Sequence, residues 1–237
     1  FGTSANGTDY TTGVTHTGTP GSAGAKTTLV LGTGVATLYY SCANHSGMGG
    51  QINTNSTAGA SNFDGSIQAN VKASQEYGFS IASLTGTGAA GATVGHGIGV
   101  PEFIIIKQRI AGPGSDLYNW NSYHSALGAT KFIALNSTNA ATTAPLFNNT
   151  APSSSVFSLA ASTSNYQNVN NASNVTYVAY CWSEVRGFSR FGSYVGNGSS
   201  TGPVIKTGFK PKFVIVKSAT NGAHWDTFDT VRDTSNP

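Results

Sequence analysis

Charged side chains are scarce in this sequence. Of its 237 residues, 12 are Lys or Arg and 9 are Asp or Glu, so charged residues make up 9%, against about 25% in an average soluble domain. The basic residues are scattered along the chain, which argues against a nucleic-acid-binding surface. The low number of carboxylates also argues against the paired acids of a glycoside hydrolase.

Long apolar runs and helical patterns are also missing. The sequence has no run of eighteen apolar residues, so we expect no membrane-spanning helix. Almost no window carries apolar residues at the spacing of an amphipathic helix. The chain begins at Phe1 without the charged and apolar regions of a signal peptide. Because it lacks an initiator Met, we expect a processed or partial chain.

Glycine and aromatic residues are abundant instead. The sequence contains 30 glycines, and aromatic residues make up 11% of it. Short segments rich in β-branched or aromatic residues alternate with Gly, Ser, Thr and Asn, a pattern typical of an all-β sandwich. The strands predicted in this way are Thr37–Cys42, Ser66–Ala73, Phe79–Leu84, Phe103–Lys107, Lys131–Leu135, Val156–Leu159, Thr176–Val185 and Phe213–Lys217.

An internal repeat organises the second half of the chain. Five residues of the first copy recur after a constant offset, and the segment Trp120–Tyr123 is echoed by Trp225–Phe228 at a slightly shorter one. The glycines are predicted to supply positive φ at turns, and the proline to open a strand. The apolar run after it predicts a central strand covered on both sides. The recurring residues are Gly86, Gly88, Pro101, Phe103 and Lys107, repeated as Gly196, Gly198, Pro211, Phe213 and Lys217.

Three regions follow from these patterns. Residues 1–57 form an N-terminal module, and the stretch Asn53–Asn62 is typical of a linker. Residues 58–175 form the first copy of a β-sandwich repeat, and residues 176–237 begin an incomplete second copy. We expect either that the native protein extends further or that the second copy completes its fold from a neighbouring chain.

One loop has the residue types of a copper site. Cys42, His45 and Met48 follow an apolar strand at a spacing of three residues, and a blue-copper site takes a Cys, two His and a weak axial Met. The motif resembles the ligand loop of the cupredoxin family, which implies a cupredoxin-like module that is incomplete at its N-terminus. His16 is a weak candidate for the second His. The alternative is that the loop is kept only for packing, so we predict either no cofactor or copper.

Aromatic residues offer a second kind of site. Trp120, Trp182 and Trp225 are candidates for a stacking platform of a lectin-like domain. Tyr180, Trp182 and Glu184 alternate along one predicted strand and would share a face, although a half-buried strand face explains the same pattern. The sequence has no nucleophile elbow and no phosphate-binding loop, so we predict that the protein is not an enzyme.

Two further residue types have structural interpretations. Cys181 lies in mid-strand and is interpreted as a buried free thiol, although a disulfide with Cys42 is an open alternative. His96 is interpreted as a polar turn residue, because its counterpart in the second copy is Lys206.

Eight further segments are informative together: Asp9–Val14, Gly18–Ala25, Tyr39–Gly50, Phe63–Ile67, Gly95–Gly99, Tyr123–Gly128, Thr150–Ser158 and Tyr177–Val185. These segments resemble virion proteins of marine bacteriophages. The resemblance implies a structural component of a phage particle, such as a tail fibre, a tail-associated protein or a capsid decoration. The implied location is the particle surface, and the implied partners are other virion proteins, further copies of the chain and a host-surface glycan. The alternatives are a carbohydrate-binding lectin-like module and a copper electron-transfer protein.

Overall fold

A computed structural model describes residues 1–4, 7–19, 21–31, 35, 37–42, 48–52, 59–109, 119–161 and 171–231. The chain divides into two compact units, Phe1–Ala60 and Ser61–Pro237. Within the described ranges almost all regular structure is β-strand, which confirms the all-β prediction. No helix of this part of the chain is long and apolar enough to cross a membrane.

The N-terminal unit contains two antiparallel hairpins. Strand β1 (Val14–Thr17) pairs with β2 (Lys26–Leu29), and β3 (Leu38–Ser41) pairs with β4 (Gly49–Ile52). Gly2 exchanges two backbone hydrogen bonds with Tyr39 of β3. The predicted strand Thr37–Cys42 is thus confirmed as β3, whereas the cupredoxin-like character of the unit stays a prediction.

The second unit is built on an eight-stranded sheet. Its order is β12-β11-β10-β9-β14-β7-β6-β5. Strands β8 and β13 form a separate pair, as do β15 and β16, and a 3₁₀ turn at Ser125–Leu127 joins β10 to β11. The strands are β5 (Ala60–Asn62), β6 (Ala69–Ser74), β7 (Phe79–Thr85), β8 (Ala92–Gly95), β9 (Pro101–Gln108), β10 (Asn121–His124), β11 (Lys131–Ala134), β12 (Thr142–Thr143), β13 (Val156–Leu159), β14 (Thr176–Ser183), β15 (Phe213–Lys217) and β16 (Trp225–Asp229).

The hydrophobic core lies on one face of the large sheet. Successive side chains of a strand point to opposite faces, and the inward set combines small and aliphatic residues with three aromatic ones. These residues form one cluster with Val94 of β8, Phe157 and Leu159 of β13, and Phe147 of the preceding loop. The β8–β13 pair therefore provides the second layer of the sandwich. The inward residues of the large sheet are Ala69, Val71, Ala82, Leu84, Ile104, Ile106, Tyr123, Phe132, Ala134, Tyr177, Ala179 and Cys181.

Strand β9 is central, as the apolar run predicted, but its two faces differ. Ile104 and Ile106 are fully buried in the core, whereas Phe103 and Ile105 on the opposite face keep partial exposure. The prediction of cover on both sides was therefore wrong for the outer face. Neighbouring side chains of the same sheet shield that face laterally, because large residues of β14 lie directly beside it.

Close packing fixes the turn that opens the first copy. Gly88 adopts a positive φ of 76°, as predicted. Gly86 does not adopt a positive φ, contrary to the prediction. A glycine is needed there because a Cβ would lie 2.3 Å from the carbonyl oxygen of Ala172. The buried Asn171 holds the same turn, because its side chain accepts from the N–H of Thr87 and donates to the carbonyl oxygen of Ala89, both at 2.8 Å.

The second copy repeats the hairpin of the first in the same register. In the first copy Ile104 lies opposite Tyr123, and in the second Val214 lies opposite Phe228. The connection between the two strands of the hairpin is five residues shorter in the second copy. For this reason the first strand recurs at an offset of 110 residues and the Trp motif at an offset of 105.

The two hairpins have different surroundings. Strand β14, which begins at the predicted boundary after residue 175, pairs with both β7 and β9 of the first copy. The β15–β16 pair is a separate two-stranded sheet. Its exposed large apolar residues are Phe213, Val214, Ile215 and Phe228.

Candidate functional site

Aromatic rings gather on the outer face of the large sheet. The pairing register places Trp182 of β14 between Phe79 of β7 and Phe103 of β9. The ring centroid of Trp182 lies 5.0 Å from that of Phe79 and 5.5 Å from that of Phe103. His124 of β10 follows at 5.9 Å from Phe103. Four neighbouring strands thus contribute to one aromatic strip, which we call the aromatic face.

A row of three rings runs across the aromatic face, with Trp182 and Tyr180 on β14 and Trp120 directly before β10. The ring centroids of Trp182 and Tyr180 are 6.3 Å apart, and those of Tyr180 and Trp120 are 6.5 Å apart. The corresponding interplanar angles are 28° and 19°, so adjacent rings have nearly the same orientation. The Nζ atom of Lys107 lies 5.8 Å above the Trp120 ring, within the range of a cation–π contact. We call Trp120, Tyr180 and Trp182 the aromatic row.

The aromatic row is ordered by its neighbours but remains accessible. Trp120 is 37% exposed, and Tyr180 and Trp182 are partly exposed. Rings that are held by mutual contact lose little side-chain entropy when a ligand binds. The same packing lowers the pKa of Lys107 through desolvation.

A shallow polar cleft adjoins the end of the row. It has a volume of about 300 Å³ and is lined by Leu135, Asn136, Ser137, Thr138, His224 and Trp225. Asn136 links it to the row, because its Oδ1 accepts the backbone N–H of Trp120 at 3.0 Å. The indole N–H of Trp225 donates to the carbonyl oxygen of Ala134 at 3.2 Å, which joins the second hairpin to the first copy.

The predicted aromatic residues therefore fall into two connected places. Trp120 and Trp182 lie in the row, and Trp225 lines the cleft. Glu184 takes no part in the row: the register shifts between Trp182 and Ser183, and Glu184 forms an ion pair with Arg190 at 2.7 Å.

Several members of the site were not singled out from the sequence. Phe79 and Phe103 join the aromatic face, and Asn136 and His224 line the cleft. The alternation of large residues along β7 and β9 signals an apolar outer face. Nothing local in the sequence indicates that Asn136 and His224 meet, because they lie in different copies of the repeat.

The proposed copper ligands do not form a complete set among the described residues. Cys42 and Met48 close the β3–β4 hairpin, where the Cys42 N–H donates to the Met48 carbonyl oxygen at 2.8 Å. His45 lies outside the described residues. The Nδ1 atom of His16 is 2.9 Å from the hydroxyl of Thr27, which belongs to the other hairpin. The structure thus brings the backbones of Cys42 and Met48 together at one hairpin end, while His16 contacts Thr27 in the other hairpin, and copper binding stays a prediction.

The remaining candidate residues have structural roles. His96 is fully buried, contrary to its interpretation as a polar turn residue. Its Nδ1 accepts the N–H of Ile98, and its Nε2 lies 3.2 Å from the carbonyl oxygen of Ser153. Desolvation lowers the pKa of His96. Cys181 is buried and, like Cys42, outside any disulfide; its burial raises the thiol pKa to about 12.

Comparison with known protein families places most of this architecture in one group. The family described as Domain of unknown function (DUF7483) matches residues 51–237. The chain belongs to this family. The DUF7483 match includes the aromatic row, the cleft and the β15–β16 hairpin, whereas the Cys42–Met48 loop precedes it. No curated protein and no solved structure matches the chain.

Proposed function

We propose that the chain is a non-catalytic structural component of a phage particle, such as a tail fibre, a tail-associated protein or a capsid decoration. It assembles with further copies of itself and with other virion proteins on the particle surface. The resemblance of its motifs to marine phage virion proteins supports the phage origin. The exposed β15–β16 hairpin supports an assembling protein.

The hairpin carries the proposal because its apolar residues have buried counterparts in the same chain. Val214 is 39% exposed and Phe228 is 46% exposed, whereas their counterparts Ile104 and Tyr123 lie in the core. Contiguous exposed apolar surface of this kind marks a protein interaction site or an aggregation hazard. Covering it by association removes the hazard.

Other exposed apolar residues lie in the same C-terminal part of the chain. These further residues are Tyr194, Val195, Val204, Ile205 and Val231.

The test is the oligomeric state of the purified chain, measured by analytical ultracentrifugation over a range of concentrations. We expect self-association that Ile215→Lys weakens strongly, because a charge on the exposed strand opposes burial. Val30→Lys is the matched control, since Val30 is 69% exposed and lies in the N-terminal unit. A chain that stays monomeric at every concentration would contradict assembly through the hairpin.

A second measurement tests the particle itself. Antibodies raised against the chain should label phage particles in immunoelectron microscopy, at regular positions on the tail or capsid. Particles that remain unlabelled, although the antibody recognises the purified chain, would contradict the virion assignment.

A further inference from the structure

We propose that the aromatic row and the adjoining cleft form one binding site for an uncharged oligosaccharide chain, which stacks on Trp182, Tyr180 and Trp120 and extends toward the cleft. This inference goes beyond the structural role above and does not depend on self-association. A chain that stays monomeric would contradict the proposed assembly, but it would not bear on glycan binding at this site.

The geometry of the row suits a chain of sugar rings. A pyranose has an apolar face of C–H groups that packs against an aromatic face, and a glycan presents such faces repeatedly along its length. Three rings in sequence, with centroids 6.5 and 6.3 Å apart and neighbouring planes 19° and 28° apart, place aromatic surface at successive positions along the row, and each ring is at least partly accessible. Aromatic side chains combine a large contact area with little conformational freedom, and so bind at low entropic cost.

The cleft supplies the hydrogen-bonding groups that stacking lacks. Ser137 and Thr138 provide hydroxyl groups and His224 provides an imidazole that is exposed to solvent, whereas the Asn136 amide already accepts from the Trp120 N–H and donates to Asn119 Oδ1. A volume of about 300 Å³ lies at the small end of ligand sites. Because Asn136 both lines the cleft and binds the backbone of Trp120, a ligand that leaves the row at Trp120 meets these polar groups next.

The charge of the face selects the class of glycan. Lys72 of β6 and Lys107 of β9 are charged residues that the register places on the same side of the sheet as the aromatic face, and Lys107 is engaged with the Trp120 ring. Lys107 is committed to the Trp120 ring and Lys72 lies on β6, two strands away from β14, so the described part of the row presents no cluster of cations to a polyanion. A neutral chain of hexoses or N-acetylhexosamines fits this chemistry better than a sulfated or highly acidic one.

A protein partner is the competing occupant, because Trp and Tyr are also enriched in protein interfaces. The observations favour the glycan: the row continues into a cleft lined mainly by polar side chains, whereas the centre of a protein interface is dry and apolar. The exposed apolar surface that protein association requires lies on the β15–β16 hairpin instead.

The experiment is binding of the full chain to an array of neutral hexose and N-acetylhexosamine oligosaccharides of increasing length, followed by titration calorimetry with the best probe. We expect Trp120→Ala and Trp182→Ala each to weaken binding at least about tenfold. Trp182→Phe should retain most of the affinity, because the ring is kept. His224→Ala should weaken binding of the longer chains and spare the shorter ones.

Tyr194→Ala is the matched control, since Tyr194 is half exposed and lies outside the row. Far-ultraviolet circular dichroism checks that each variant is folded, and Trp120→Ala keeps the test valid if Trp182→Ala does not fold. A blank array with folded wild-type protein overturns the proposal. Binding that neither Trp120→Ala nor Trp182→Ala weakens also overturns it. If the array is blank and these two variants lose self-association, the aromatic row is a protein interface instead.

Discussion

The two hairpins β9–β10 and β15–β16 have the same register and different surroundings. In the first, β14 pairs with the free edge of β9, and the β8–β13 layer covers the inner face. In the second, residues of the same type at the same positions are exposed. A local pattern can therefore specify a hairpin, but it cannot specify what buries that hairpin.

The largest expected difference concerns the core. Ile104→Ala removes a fully buried side chain and should lower the free energy of unfolding by about 2–5 kcal/mol. Its counterpart Val214→Ala should cost well under 1 kcal/mol in the monomeric chain, because Val214 is 39% exposed. Urea denaturation measures both. Equal losses would mean that the second hairpin is as well covered as the first.

The opening turns provide a second matched pair. Gly86→Ala places a Cβ against the Ala172 carbonyl and should destabilise the protein by about 1–3 kcal/mol. Gly196→Ala meets no atom within 4 Å and should be neutral or slightly stabilising, because alanine restricts the unfolded chain. Thermal unfolding distinguishes the two. A tolerated Gly86→Ala would show that the Asn171 segment moves aside easily.

Acidification should affect the first copy through His96. Burial lowers its folded pKa below the usual value of about 6.5, although Asp64 opposes this shift. As the pH falls below that value, the unfolded chain binds a proton that the folded His96 does not, so the free energy of unfolding decreases. His96→Gln should flatten this decrease between pH 7 and pH 5. Val195→Ala is the control, because Val195 is 88% exposed and carries no titratable group, and it should leave the pH profile unchanged.

The smallest effect compares the two thiols. Cys181 is buried with a pKa of about 12, whereas Cys42 is only partly buried. Since the thiolate is the reactive form, a disulfide reagent at pH 8 should modify one thiol per folded chain and the second only after unfolding. Two thiols reacting at the same rate in the folded chain would mean that β14 opens readily.

Local patterns predicted the strands and the repeat but not the sites completely. The run after Pro101 indicated a central strand, and β9 is central. The strands β1, β2, β4, β5, β8 and β12 were missed because these short segments are rich in small or polar residues and carry little apolar alternation. The exposure of His96 was predicted wrongly because a turn flanked by glycine is usually exposed. In the structure His96 is buried, and its Nε2 lies 3.2 Å from the carbonyl oxygen of Ser153.

The candidate site shows the same division. Alternation along β14 indicated that Tyr180 and Trp182 share a face, and this requires only the geometry of a strand. The contact of Trp120 with Tyr180 required the sheet order β10-β9-β14, which joins segments that are distant in the sequence. Sheet order is decided by long-range pairing and core packing, and no local pattern encodes it.

By itself, the sequence determined an all-β chain, its main strands and a hairpin that occurs twice, because these depend on side-chain alternation and turn residues that act over a few positions. Only the tertiary structure decided which hairpin is buried, which face of the large sheet keeps its aromatic rings accessible, and which residues meet in the cleft. Those outcomes depend on burial against distant parts of the chain, and burial is a property of the whole fold.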